Sequence, residues 1–128
     1  MYKFMCYGKE VTIDIPQKAG LYRFFNESGS GKTMLATMLK IHKYGGGKTD
    51  AFTYNDIKDG RTISSMIENN PEVVLIDRYD AYNGKMADDI SKLSDQCIVL
   101  LDCKQAPKVN KQARFVRITF GDGYVNVR

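Results

Sequence analysis

Apolar residues recur along the chain with two periods, and the alternation of those periods predicts its architecture. Leu21-Tyr22-Arg23-Phe24-Phe25 is apolar at four of five positions and rich in aromatics, which predicts a strand. Met34, Leu35, Met38 and Ile41 follow at helical spacing, and Gly45-Gly46-Gly47 ends that helix. A strand is expected over 50–54, then a short helix with Ile63, Met66 and Ile67 on one face, stopped by Asn70-Pro71. Val73-Val74-Leu75-Ile76-Asp77 reads as a buried strand. Met86, Ile90 and Leu93 give one face of a further helix, and Gln96 to Asp102 gives another apolar strand. Strand and helix alternate through the centre, so the predicted class is α/β: a mainly parallel sheet with covering helices, flanked by antiparallel hairpins at the two termini.

A chain of 128 residues, 43% hydrophobic and 27% charged, suits one small domain over 1–128. No apolar run is long enough to span a bilayer, and the start Met1-Tyr2-Lys3-Phe4-Met5-Cys6 has no continuous apolar signal region, so a cytoplasmic location is expected. Cys6, Cys97 and Cys103 are odd in number and lack C-x-x-C spacing, which argues against a disulfide framework or a zinc site; Cys6 and Cys97 read as buried strand residues. The net charge of +4 is uneven. From Lys104 onward Lys104, Lys108, Lys111, Arg114, Arg117 and Arg128 face a single Asp122, a basic excess that reads as a solvated face, with nucleic acid as the less favoured partner.

The candidate chemistry lies between the Leu21 strand and the Met34 helix. Ser28-Gly29-Ser30-Gly31-Lys32-Thr33 is a glycine-rich turn ending in Gly-Lys-Thr, the composition a backbone needs to wrap a polyphosphate. Its glycines let successive N–H groups converge on phosphate oxygens, Lys32 brings a mobile positive charge, and the Thr33 hydroxyl can join the oxygen shell of Mg²⁺. The strand–turn–helix context is that of a P-loop. The first glycine of the G-x-x-x-x-G-K-T pattern is Asn26 here, the non-glycine residue that best tolerates positive φ. The nucleotide-binding set is thus Asn26, Glu27, Ser28, Gly29, Ser30, Gly31, Lys32, Thr33 and Met34. Asp77, at the end of its hydrophobic strand, reads as the Walker B acid that holds the metal from the side opposite Thr33.

With these motifs in this order, most of the chain resembles the core of an ABC-type ATPase within the P-loop NTPase superfamily. Val11 to Gly20 resembles the strand and turn before the P-loop, and Asn69-Asn70-Pro71-Glu72 the approach to Walker B. Gln96 to Asp102 stands where the family carries its switch strand, and Arg114 to Phe120, Gly121-Asp122-Gly123 and Tyr124 to Val127 resemble its closing hairpin. The resemblance implies that the Cys97–Leu101 strand lies between the P-loop and Walker B strands, that the cofactors are ATP and Mg²⁺, that Asn55 stands near the metal where the family has a glutamine, and that Tyr7 stacks on adenine. No Asn-Lys-x-Asp guanine motif occurs.

The chain departs from that pattern at three points. It has no Leu-Ser-Gly-Gly-Gln signature, and 49–71 is too short for the helical subdomain that presents it. Arg78 follows Asp77 where the family has a water-polarising glutamate, and Asp102-Cys103 stands in place of its switch histidine; His42 reads as a surface residue on the first long helix. Asp80 and Asp102 are the carboxylates that could substitute, so the catalytic candidates are Lys32, Asp77, Asp80 and Asp102. Arg78 either pairs with Asp80, stays solvated, or points at phosphate. Two functions are expected: a small Mg²⁺-dependent ATPase, or a hydrolysis-deficient nucleotide sensor or assembly module acting through a partner protein that supplies catalytic or regulatory groups.

Overall fold

Five parallel strands form the centre of the fold. A computed structural model describes residues 1–25, 31–82, 86–109 and 111–128. An N-terminal hairpin, β1 (Tyr2–Cys6) and β2 (Lys9–Ile13), precedes β3 (Gly20–Phe24), α1 (Lys32–Tyr44) and β4 (Thr49–Phe52). Two short helices, α2 (Tyr54–Lys58) and α3 (Ile63–Ile67), lead to β5 (Val73–Ile76), a 3-10 turn (Tyr79–Tyr82) and α4 (Ala87–Ser94). Then come β6 (Ile98–Leu101), β7 (Arg114–Val116), β8 (Ile118–Gly121) and β9 (Tyr124–Val127). The central sheet runs β4-β5-β6-β3-β7 with every neighbour parallel, so β6 lies between β3 and β5 as expected. The four-residue runs of β4, β5 and β6 are buried throughout, which is why their sequences are continuous apolar stretches.

The sheet separates two apolar clusters. On one face α1 presents Leu35, Ala36, Met38 and Leu39 to Tyr22, Phe24, Leu75 and Leu100, and the second sheet adds Val11, Ile13, Val125 and Val127. On the other face Ile63 and Met66 of α3 and Ile90 and Leu93 of α4 meet Leu21, Val74, Ile76, Val99 and Leu101. Side chains on alternate strand positions go to opposite clusters, as a pleated strand covered on both faces requires.

The two terminal hairpins are present, each antiparallel, but they pair with each other. β2 runs parallel to β9, which makes one four-stranded sheet, β1-β2-β9-β8, and sets it over a face of the central sheet. The expected single strand from Arg114 to Phe120 is two. Val116 pairs within the central sheet and Ile118 within the second one, both side chains entering the same apolar cluster, and Arg117 between them exchanges both backbone hydrogen bonds with Arg128 (2.7 and 3.0 Å). The strand expected over 50–54 is also shorter. Thr53 caps a helix instead: its carbonyl accepts the Asp56 N–H at 3.0 Å, while the Asp56 carboxylate accepts both the Thr53 N–H at 2.7 Å and the Thr53 hydroxyl at 3.0 Å, so Tyr54 opens α2.

His42 is half-buried, not fully solvated. Its ring stacks on Phe4 at 4.1 Å, its Nε2 meets the Tyr2 hydroxyl at 2.9 Å, and burial lowers its pKa. It joins the end of α1 to β1. Cys6, Cys97 and Cys103 are buried free thiols; burial pushes Cys97 up to about 12 and Cys103 up to about 11, which keeps both protonated and unreactive at neutral pH. Among the described residues no helix is long and apolar enough to cross a membrane.

Candidate functional site

The carboxyl ends of β3, β5 and β6 meet the amino end of α1. Gly31 caps that helix in the left-handed region (φ +87), and its carbonyl accepts the Leu35 N–H at 2.9 Å to begin the helical ladder. A Cβ at Gly31 would fall 2.1 Å from the Phe120 ring of β8, so glycine is required here by the backbone and by the neighbour. The first-turn side chains follow directly. Lys32 reaches across to Asp102, with Nζ 3.3 Å from Oδ1 and both side chains largely buried.

Asp102 organises the strand ends. Its Oδ2 accepts the Arg78 N–H at 3.3 Å, its carbonyl accepts the Tyr79 N–H at 2.8 Å, and its own N–H donates to Ile76 at 3.0 Å. Asp77 is buried beside it, with its N–H on the Phe52 carbonyl at 2.9 Å. Burial first, then the hydrogen bond and the negative charge of Asp102, push the Asp77 carboxyl up to about 6, against the opposing pull of Arg78 and Lys32.

A cavity of about 420 Å³ opens beside these groups, lined by Thr33, Ala36, Thr37 and Lys40 of α1, by Thr53, Tyr54 and Asn55, and by Asp77 and Arg78. The sequence-derived metal candidates Thr33, Asn55 and Asp77 therefore line one cavity, although Asn55 arrives on a helix and not at a strand end. Their hydroxyl, amide and carboxylate oxygens suit a hard cation such as Mg²⁺, which is held by few protein ligands and takes its remaining oxygens from water or phosphate.

The other candidates separate from this group. The Asp80 carboxylate accepts the Lys104 N–H at 2.5 Å and thereby holds the loop after β6. Tyr7 is exposed in the β1–β2 turn (φ +51) and is not among the residues lining the cavity; Met34 is half exposed on α1. Asn26, Glu27, Ser28, Gly29 and Ser30 lie outside the described residues. Phe120 over Gly31, and Thr37, Lys40 and Thr53 on the cavity wall, carried no sequence signal, because each reads alone as an ordinary strand, helix or cap residue.

No family model, no curated protein and no solved structure matches this chain.

The raised Asp77 pKa has a measurable consequence without any ligand. A carboxyl whose folded pKa exceeds its unfolded value contributes stability below the unfolded pKa, near 4, and that contribution is lost as pH rises through about 6. Asp77→Asn keeps a neutral hydrogen-bonding group in place. Its melting temperature should exceed that of the wild type at pH 7.5, with the gap closing toward pH 4; thermal melts across that range check it.

Proposed function

We propose that this chain is an ATP-binding protein of the P-loop NTPase superfamily that takes up ATP with Mg²⁺ at the amino end of α1. The observation that carries this reading is the meeting of Lys32 with Asp102 and Asp77 at the carboxyl edge of a parallel sheet, directly ahead of a 13-residue helix. The central strand order supports it, with β6, which Asp102 follows, between β3 and β5, which Asp77 follows. Thr33, Asp77 and Asn55 would hold the magnesium, which supplies charge neutralisation at the β- and γ-phosphates.

Without nucleotide, Lys32 is occupied by Asp102. An arriving triphosphate competes for the ammonium group and leaves Asp102 as a carboxylate beside the reacting phosphate, the one candidate here that could orient an attacking water. Asp80 accepts the Lys104 N–H and so is tied to the loop after β6. Hydrolysis through Asp102 makes the protein a small ATPase. A second reading, a nucleotide-dependent sensor or assembly module that acts through a partner protein, is favoured by Arg78, a cation where the ABC-type ATPases that the sequence resembles carry a glutamate.

Calorimetric titration of the protein with ATP and Mg²⁺, followed by phosphate release at saturating nucleotide, tests both. Binding with turnover that falls in Asp102→Asn supports the ATPase; tight binding with no turnover supports the sensor. Failure of ATP to bind removes both.

A further inference from the structure

Arg78 is held in an unusual backbone state beside the cavity. It has φ +50, a left-handed conformation disfavoured for a long side chain. Two hydrogen bonds on either side of it, Arg78 N–H to the Asp102 carboxylate and Tyr79 N–H to the Asp102 carbonyl, fix that conformation to the end of β6. The side chain is exposed and lines the same cavity as Thr33 and Asp77.

Among the described residues the Arg78 guanidinium makes no salt bridge, although three carboxylates lie within three sequence positions or on the adjoining strand end. Each of the three has a nearer partner, and Arg78 acts on Asp77 only through its charge. Asp102 accepts from Lys32 and from the Arg78 backbone, Asp77 is hydrogen-bonded to Asp102, and Asp80 accepts from Lys104. The result is a positive group with five N–H donors facing a polar cavity, next to a lysine that is itself neutralised.

Building on the ATP-binding reading above, we propose that Arg78 recognises the terminal phosphate and makes the site selective for nucleoside triphosphates over diphosphates. Lys32 stands at the first turn of α1, where the phosphates common to ATP and ADP would lie, and gives little discrimination between them. Arg78 approaches from the opposite strand end, past Asp77, where the third phosphate would extend. Its planar fork can donate two hydrogen bonds to one phosphate, which a lysine cannot reproduce. Since the backbone of Arg78 hangs on Asp102, movement of Asp102 when Lys32 turns to phosphate would reach Arg78 directly.

The test compares ATP and ADP affinities, with Mg²⁺, for the wild type, Arg78→Gln and Arg78→Lys, each checked by thermal melting for an intact fold. The wild type should prefer ATP. Arg78→Gln should lose about tenfold or more of its ATP affinity while its ADP affinity stays within about twofold, and Arg78→Lys should recover only part of the loss. Equal losses for both nucleotides, or none, would overturn the assignment while leaving ATP binding intact. If neither nucleotide binds the wild type, the ATP-binding reading falls first and this one with it. Because Gln and Lys share the strain of φ +50, Arg78→Gly is the fold control: it should melt no lower than the wild type and show the same selective loss of ATP affinity as Arg78→Gln.

Discussion

Lys32→Ala is expected to lose about a hundredfold or more in affinity for ATP with Mg²⁺ while keeping its fold. The ammonium group is the closest side-chain cation to the amino end of α1, and it reaches into a largely buried spot where it meets Asp102. Charge-assisted hydrogen bonds to phosphate oxygens contribute about 1.5 to 3 kcal/mol each, and every 1.4 kcal/mol is about a factor of ten. Two such bonds account for the expected loss. The unliganded variant should remain folded, since removing Lys32 leaves the strand-end backbone bonds of Asp77 and Asp102 in place. The clearest readout is the nucleotide-induced rise in melting temperature. A ligand that binds only the folded state raises stability by RT ln(1 + [L]/Kd), so the wild type should show the rise and the variant almost none at the same ATP concentration. A wild-type-sized shift in Lys32→Ala would remove the lysine from the account.

Arg61→Leu should be the most destabilising change in the structure outside the apolar clusters. Asp50 on β4 is buried, and Arg61 donates to both of its oxygens, one at 3.2 Å, while Lys43 of α1 reaches it at 3.1 Å. Arg61 also holds Asp56 at 3.2 Å, and Lys40 of α1 holds the same carboxylate at 2.8 Å. The network ties α1 to β4 and α2. Burial alone would raise Asp56, but hydrogen bonds from Lys40 and Thr53 outweigh it and hold its carboxyl below the usual range; desolvation works against the Arg61 charge, and its bonds to Asp50 overcome that. Removing the arginine leaves the buried Asp50 carboxylate with Lys43 as its remaining cation. Breaking one partner of a buried pair costs about 3 to 5 kcal/mol, which for a domain of this size lowers the melting temperature by roughly 10 to 20 °C. Asp56 sets a separate pH dependence: its depressed pKa, held down by Lys40 and Thr53, adds stability above about pH 4 that disappears as the carboxyl protonates. The penalty of Lys40→Met should therefore shrink in acid. A Lys40→Met loss that does not change between pH 7 and pH 3, or an Arg61→Leu variant that melts with the wild type, would contradict this.

Much of the central architecture could be read from the chain because its strands are buried on both faces. Val73–Ile76 and Ile98–Leu101 have no polar position to blur the signal, and α1 shows its apolar stripe and its glycine stop without interruption. What could not be read depends on pairing between distant segments. Nothing local in Arg114–Phe120 shows that Val116 and Ile118 pair in different sheets; that split is fixed by Arg117 bonding to Arg128 and by β2 accepting β9 as a parallel neighbour. The helix at Tyr54 was hidden for a different reason. Thr53 to Asp56 is a capping box written with aspartate in place of the usual glutamate or glutamine, beside an apolar run that reads as strand. His42 looked polar and solvated, but its ring has an apolar face, and Phe4, 38 positions earlier, covers it.

The candidate site was legible as a list of residues and not as a set of bonds. Lys32, Asp77 and Asp102 were selected because a phosphate turn and strand-end acids belong together, and the fold does bring them together. The sequence could not show that Lys32 is neutralised by Asp102, that Asp80 holds the Lys104 backbone, or that Arg78 lines the cavity without a salt bridge among the described residues. Those facts depend on the residues that follow the strands, where Lys32, Arg78 and Asp102 bond to one another across the chain.

The most direct test is to follow the backbone amides of the labelled protein by nuclear magnetic resonance during titration with ATP and Mg²⁺. Amides of Gly31, Lys32 and Thr33, together with those of Asp77, Arg78 and Asp102, should shift first and most, saturating at one equivalent of nucleotide, while β1 and the Thr62–Ile67 region stay unchanged. Saturable shifts that map elsewhere, or none at millimolar ATP, would contradict a nucleotide site at the head of α1.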